Sequence, residues 1–380
     1  MIKDFESFVN RDKVDPEKID KYLGKSILML RDQKWKEMRS NLSPVFTSLK
    51  MKNMFHLLQD CVEDFTKFYG EKALKSQGQV IVETHDLFAR LTADGIATTA
   101  LGFEGDCVRN TESELFKIAE GIEKDFANPL PLLLLNLFPS IYKLLGMQLF
   151  RKSIHNFFEL NVLNEIKRRR KNNIHRPDVI QLLIQAQDGK LKAHDDENNE
   201  SFLVPKAQKL TLWTDDDLTA QALVFFLGGF ETTAVMMQGC FWELAMNQEI
   251  QQTLIDEVDE MLESLAGKLI SYEQLNKMKY LEMVINETLR KWPPFRITSR
   301  LCSKDYVAQL GNGKTCIIRK GVEIFIPFSN LQIDPKYFKN PEVFDPLRFS
   351  EKNRKQIQSE TYFPFGMVRK VSKVVSERDF

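Results

Sequence analysis

Apolar positions along the chain recur mainly at helical spacing. In residues 86–101, Leu87, Phe88, Leu91, Ile96 and Leu101 alternate with polar positions and Gly102 follows as a stop signal, which predicts a helix. Residues 154–171 read the same way and end in Lys167-Arg168-Arg169-Arg170-Lys171, cations that a helix C-terminus favours. As a charge run, this is expected to be a solvated helix end. Residues 187–211, with Asp188, Gly189, Asp195, Asp196, Glu197, Asn198 and Asn199, predict a long exposed loop. Thr214, followed by Asp215, Asp216 and Asp217, then supplies an N-cap and an acidic first turn. The helix it starts runs through Leu218, Ala222, Phe225 and Phe226 and is apolar nearly all round, so it is expected at the centre of the fold. Residues 248–262 and 271–292 predict two more helices, the second stopping at Pro293-Pro294. Only afterwards does β character appear, in residues 315–319 and 322–327 around Gly311, Gly313 and Gly321. Asp334-Pro335, Asn340-Pro341 and Asp345-Pro346 mark a turn-rich segment. The pattern therefore predicts a mainly α protein with a small β-sheet, of the α+β class.

Composition narrows the function classes. A chain of 380 residues has room for two or three domains at about 150 residues each. Glycine (17) and proline (14) are scarce and 43% of residues are hydrophobic, which argues against disorder, collagen-like repeats and a turn-rich all-β fold. Lys plus Arg and Asp plus Glu are both 53, so there is no global basic field to hold a nucleic-acid backbone. The five cysteines (Cys61, Cys107, Cys240, Cys302, Cys316) are odd in number and contain no C-x-x-C pair, so they read as reduced thiols facing the cytosol. No signal peptide starts in residues 1–10, where Lys3, Asp4 and Glu6 break any apolar run. The most apolar stretch, residues 130–138, is bounded and broken by Pro129, Pro131, Asn136 and Pro139 and falls far short of the ~20 residues a membrane span needs. Two readings of it stay open: a patch dipping into one bilayer surface, and a buried loop packed on the core.

Three constellations carry chemistry. The first is Gly228-Gly229-Phe230-Glu231-Thr232-Thr233 inside the central apolar helix. Two mid-helix glycines cost about 1 kcal/mol each relative to alanine, and a carboxylate there must be desolvated or paired. Threonine hydroxyls can bond the i−4 carbonyl and loosen a helix, so an acid beside an alcohol could form a proton relay in a groove. The alternative is close packing at the glycines, with Glu231 reaching a salt-bridge partner. The second is Glu287-Thr288-Leu289-Arg290, whose Glu and Arg share a helical face. Arg348, in Pro346-Leu347-Arg348-Phe349, can close a buried network with them. The third is Trp35-Lys36-Glu37-Met38-Arg39, two donors on one face suited to a carboxylate or phosphate, or an indole stacked on its neighbour's stem.

Together and in this order, these motifs resemble the cytochrome P-450 haem-thiolate monooxygenases, most closely the insect microsomal, detoxification-type members. The resemblance runs from Met1 to about Gly366 and implies a cytochrome P-450 fold, incomplete here, with a partial domain over residues 1–366 and a divergent tail over 367–380. It implies that Trp35 and Arg39 donate to one haem propionate and Arg300 to the second. Glu231 and Thr232 match the catalytic acid and alcohol that relay protons during dioxygen scission in a water-poor pocket. Glu287, Arg290 and Arg348 match a structural network. The implied cofactor is haem b with its iron. The implied partners are NADPH-cytochrome reductase, a lipophilic small-molecule substrate and a membrane surface, at the cytosolic face of the endoplasmic reticulum, for a monomer that binds no nucleic acid. Lys25, Arg31, Lys34, Lys36 and Arg39 are a candidate reductase surface, with ordinary solubility as the alternative.

The resemblance breaks at the loop of pattern P-F-G-x-G-x-R-x-C-x-G. The chain begins it at Pro364-Phe365-Gly366 and then has Val368 for Gly, Lys370 for Arg and Ser372 for the axial Cys. No metal ligand is therefore assigned. The expectation is a truncated gene product or gene model whose frame leaves the coding exon after Gly366, lacking also the N-terminal anchor, hinge and first strands of its relatives. Two functions follow: a haem-dependent monooxygenase of lipophilic molecules, or a catalytically inactive remnant without the haem-ligating Cys.

Overall fold

The computed structural model describes residues 4–11, 19–190, 213–310, 313–358 and 360–365. It divides into two compact units, Val9–Glu231 and Met1–Phe8 with Thr232–Phe380. The first unit is helical, with α1 (Asp32–Leu42), α2 (Ser48–Lys75), α3 (Thr84–Ile96), α4 (Glu114–Ala127), α5 (Pro129–Leu137), α6 (Pro139–Leu144), α7 (Lys152–Asn172), α8 (Val179–Gln187) and α9 (Asp215–Gly229).

The predicted helix at 86–101 is α3 plus a π-helical turn, Ala97–Leu101. Glu83 caps it by accepting the backbone N–H groups of His85 and Asp86. Gly102 ends it at φ 81°, where a Cβ would collide with the Arg169 guanidinium. A left-handed conformation and a tight contact both require glycine there.

The helix over 154–171 is α7, and four of the five cations at its basic end are exposed as a charge run predicts, but Arg169 is not. Arg169 is only 2% exposed and donates to Glu165 at 2.7 Å and to both oxygens of Asp178 at 2.6 and 2.7 Å. Asp178 is the N-cap of α8, accepting the Gln181 N–H. Arg168 pairs with Glu165, and Arg170 reaches Gln187 and Asp188. The run thus clamps α7 to α8. A charge run is soluble by default, but two buried carboxylates at the right distance make burial of one guanidinium tolerable.

α9 starts as predicted, with a capping box between Thr214 and Asp217. It buries Leu218, Ala222, Leu223 and Phe226 and packs against α3, α7 and α8, the central place its apolar circumference implies. Asp215–Met246 is long and apolar enough by composition to cross a membrane. The capped acidic start and buried face of α9 are equally what a core helix shows. Of the expected loop at 187–211, residues 191–211 lie outside the described residues. The apolar stretch at 130–138 is neither a loop nor buried. It forms α5 and the entry to α6, with Leu135 inside and Leu130, Leu133, Leu137, Phe138 and Leu144 exposed.

The second unit contains α10 (Glu231–Met246), whose first residue still belongs to the first unit, then α11 (Gln248–Leu265), α12 (Tyr272–Leu275) and α13 (Lys279–Lys291). The helix expected over 271–292 is split in two. Ser271 and Gln274 form a capping box that serves only α12, and α13 begins afresh after Met278. Cys240, Leu244, Val284 and Phe344 form its apolar cluster, with Ile250 and Leu254 of α11 against it. The strands β1 (Thr298–Leu301), β2 (Tyr306–Gln309), β3 (Thr315–Ile318) and β4 (Glu323–Ile326) make two separate antiparallel pairs, β1 with β4 and β2 with β3. The two runs read as strands are β3 and β4, and each pairs with an earlier strand rather than with the other. α14 (Phe328–Gln332) precedes the turn-rich segment. The mainly α architecture with small sheets is as the sequence pattern predicts.

Candidate functional site

The central motif interrupts its helix. α9 ends at Gly229, Phe230 leaves helical geometry with ψ −84°, and α10 begins at Glu231. The two glycines have different environments. A Cβ on Gly229 would collide with Ile96 of α3, so this glycine permits close packing, whereas a Cβ on Gly228 would meet nothing within 4 Å. Close packing is therefore present at Gly229, whereas Gly228 has open space beside it. Glu231 has His85 Nε2 at 3.4 Å from Oε1, while its Oε2 is out of solvent without a hydrogen-bond partner. Thr232 follows in the chain and opens the second unit.

The predicted ion network is assembled. Arg290 donates from Nε to Glu287 Oε2 at 2.7 Å and from Nη2 to Oε1 at 2.8 Å, and both side chains are fully buried. Its remaining donors reach the carbonyls of Gln332 at 2.9 Å and Pro341 at 2.7 Å. Arg348 lies 3.4 Å from Glu287 and donates to the Lys339 carbonyl at 2.9 Å. The Asp345 N–H also donates to Glu287. The network ties α13 to the turn-rich segment, which has little secondary structure of its own.

Among the three donors assigned to an anionic group, Trp35 is half-buried and Arg39 exposed on α1. Among the described residues no carboxylate lies within ion-pair distance of Arg39. Lys25, from the same basic surface, is paired with Asp216 at 2.7 Å. Arg300 sits in β1 opposite Ile324 and donates to the Ser299 carbonyl at 2.7 Å and Thr298 Oγ1 at 3.2 Å. Among the described residues it has no carboxylate partner, and burial pushes its pKa below the usual arginine range. A desolvated guanidinium without a described counter-charge fits an anionic ligand group.

Three of the thiols sit in surroundings that raise their pKa. Cys61 is pushed up to about 12 by burial and nearby Asp94. Burial raises the Cys107 and Cys240 thiols as well. Cys240 is held in the apolar cluster, and Cys302 is buried with its Sγ against the Lys304 and Ile318 carbonyls. A metal-binding cysteine needs the thiolate form, which burial disfavours at Cys61, Cys107 and Cys240. Ser372 and the residues from Gly366 onward lie outside the described residues. Each taken within its own unit, the open side of Gly228 and the desolvated Arg300 guanidinium are of the kind a haem face and a haem carboxylate call for, while burial disfavours the thiolate form of Cys61, Cys107 and Cys240.

Several functional contacts gave no sequence signal. His85 and Glu231 are 146 positions apart, and nothing local links them. Gln332 is fully buried and donates to the Leu289 and Arg290 carbonyls, capping the end of α13. Glu243 accepts from Trp292 Nε1 at 2.7 Å and pairs with Lys291 at 2.8 Å, beside Gly239, whose missing side chain makes room for Trp292. Tyr362 donates to Asn286 and packs on Phe349, anchoring the chain just before Pro364-Phe365. A cavity of about 430 Å³ opens at the end of α7, beside Lys50, Arg170, His175 and Lys190, away from these motifs.

Comparison with known proteins agrees with this geometry. A family model described as cytochrome P450 matches residues 1–369. The chain is 39% identical over 381 residues to cytochrome P450 9e2 of Blattella germanica, covering 96% of this chain and 70% of that protein. It is 36% identical over 374 residues to the probable cytochrome P450 9f2 of Drosophila melanogaster, with the same coverages. To cytochrome P450 6A1 of Musca domestica it is 34% identical over 369 residues, covering 96% of this chain and 69% of that one. With its motif residues placed in the expected order and its buried Glu-Arg-Arg network formed, the chain belongs to the cytochrome P450 family of haem monooxygenases and is similar to its insect members.

Proposed function

We propose that this chain carries the proton-delivery face and the carboxylate-binding edge of a monooxygenase site for lipophilic small molecules. Residues 1–366 form that partial domain, and residues 367–380 are a divergent tail. The observation that carries the reading is the Glu231 carboxyl: at a helix interruption, three residues after a glycine with an open face, with one oxygen desolvated and unpartnered. When bound, haem supplies dioxygen activation. Inserting one oxygen atom into a substrate C–H bond and releasing the other as water consumes two electrons and two protons. Glu231 and Thr232 pass those protons inward, at the carboxylate oxygen and the hydroxyl. Trp35 and Arg39 hold one propionate, and Arg300 the other. Glu287, Arg290 and Arg348 fix the segment that leads to Pro364. NADPH-cytochrome reductase supplies the electrons, at the cytosolic face of the endoplasmic reticulum, with α5 and α6 against the lipid.

A second reading, a remnant that holds no thiolate-ligated haem, is favoured by one sequence fact: no cysteine follows Cys316, and Ser372 stands in the axial register. A serine hydroxyl stays protonated near neutral pH and is a poor iron ligand. The carbon-monoxide difference spectrum of chain expressed with haem separates the two. A thiolate-type Soret band supports the monooxygenase; its absence, in a folded protein, supports the remnant.

A further inference from the structure

Glu231 is part of a three-residue cluster within the first unit. His85 on the first turn of α3 and Glu123 near the end of α4 bring their side-chain ligand atoms to within 4.8 Å of one another and of Glu231. Two carboxyls this close cannot both ionise cheaply, and the stable arrangement places one proton between them. That proton also gives the otherwise orphaned Glu231 Oε2 a donor. The cluster is not sealed from solvent: the His85 and Glu231 side chains keep 37% and 39% of their surface. The Glu231 carboxyl itself therefore reaches from an exposed side to a desolvated Oε2.

We propose that Glu123 and His85 are positioning residues that set the protonation state of Glu231, Glu123 by sharing a proton with it and His85 by facing its Oε1 with an opposing imidazole. This rests on the reading of Glu231 as the proton-delivering acid. The step involves only O–H bonds. The shared proton moves from the Glu123 O–H to Glu231 Oε2, and the Glu123 carboxylate recovers one from solvent hydronium, which becomes water. The surrounding charges are consistent with this. Burial and the neighbouring Glu231 push Glu123 up to about 7, with Glu120 adding to the rise and His85 opposing it. Lys124 is paired with Glu120, and Glu83 is engaged in capping α3. A proton held near neutrality is easily both released and recovered.

Infrared titration of the haem-free chain carrying isotopically labelled glutamate tests the proposal without relying on turnover. A protonated-carboxyl band should titrate near pH 7. Glu123→Gln should abolish it. Glu231→Gln should move its midpoint down by about one pH unit or more, and His85→Gln should move it up, since an opposing positive charge is lost. A wild-type band confined to the ordinary carboxylate range, or a midpoint indifferent to Glu231→Gln in variants with native circular dichroism, overturns it. That failure leaves the assignment of Glu231 as the acid standing. The assignment fails instead if the band behaves as described but Glu231→Gln leaves the pH profile of oxygen reduction by haem-loaded protein unchanged, and the proposal then falls with it.

Discussion

Arg290 closes a two-pronged ion pair on Glu287 in a place where neither side chain exposes any surface. Removing one member strands the other as a buried charge, which typically costs about 3–5 kcal/mol. Glu287→Ala and Arg290→Ala should each lower the urea midpoint accordingly. Arg290→Lys should recover little. An ammonium cannot make the fork and also reach the Gln332 and Pro341 carbonyls. A loss below about 1 kcal/mol for Glu287→Ala, judged against that range, would show that the pair does not hold the turn-rich segment.

The two glycines of the central motif should respond in opposite directions. At Gly229 an alanine methyl meets Ile96, and overpacking costs about 1–3 kcal/mol. Ile96→Val removes the colliding Cδ1, so the double variant should regain part of the loss. At Gly228 the methyl meets nothing, and replacing a helical glycine should be neutral or stabilise by up to about 1 kcal/mol. If the methyl fills a ligand's space, Gly228→Ala should weaken haemin binding at undiminished stability. Thermal unfolding together with haemin titration reads both effects. Equal destabilisation by both substitutions would contradict the contrast.

Which features were legible in the sequence follows from the range of the interactions behind them. The Thr214–Asp217 cap and the Gly102 stop were readable because their partners lie within a few residues. The Glu287, Arg290 and Arg348 network was readable only because a spaced motif pointed to it, since Arg348 lies 61 residues from Glu287. Within the exposed basic run at the end of α7, the burial of Arg169 has no local signal because Asp178, which pairs with it, looks in sequence like any loop aspartate. β1 and β2 gave no clear signal, being half-exposed four-residue strands whose partners lie beyond a turn. The same holds for Gly228 and Gly229. Adjacent and identical in sequence, they are distinguished only by Ile96 on another helix.

The raised Glu123 carboxyl has a consequence for stability. Its folded value, about 7, lies above its unfolded one, so the folded state binds the extra proton between them. Stability from this group is complete below the unfolded value near 4.3 and is lost as pH rises toward 7. Glu123→Gln removes that loss. Relative to wild type it should be stabilised at pH 8 by about 1–2 kcal/mol, after allowing for solvent screening of a half-exposed pair, and show little difference at pH 4. Urea unfolding at the two pH values checks the sign, and a larger gain at pH 4 would reverse it.

α5 and α6 present a row of leucines that no other described element covers. Leu133 is 53% exposed, Leu137 61% and Leu144 85%. Transferring each into lipid should gain on the order of 1 kcal/mol or more for its exposed area. Leu133→Asp with Leu137→Asp should therefore reduce partitioning into neutral phosphatidylcholine vesicles by at least about tenfold. Because these side chains support little core, the unfolding midpoint should not move. Unchanged flotation with vesicles would remove the lipid-facing role.

Arg300 offers a test in which stability and binding should part company. Its guanidinium is desolvated, its hydrogen bonds go to Ser299 and Thr298 within its own strand, and among the described residues no carboxylate balances its charge. A structural arginine at such a site would normally have an acidic partner, because desolvating a cation without one is unfavourable. A ligand-binding arginine is left unpaired until its anion arrives. Arg300→Gln keeps polar atoms for the strand contacts and removes the charge. In the haem-free chain it should leave the urea midpoint unchanged or raise it, by up to about 1 kcal/mol. Haemin affinity should fall about tenfold, the loss of one charge-assisted contact worth roughly 1.5–3 kcal/mol. Haemin whose propionates are esterified should bind wild type and variant alike. If Arg300→Gln instead destabilises the empty chain and leaves haemin affinity intact, Arg300 belongs to the sheet and not to a carboxylate site.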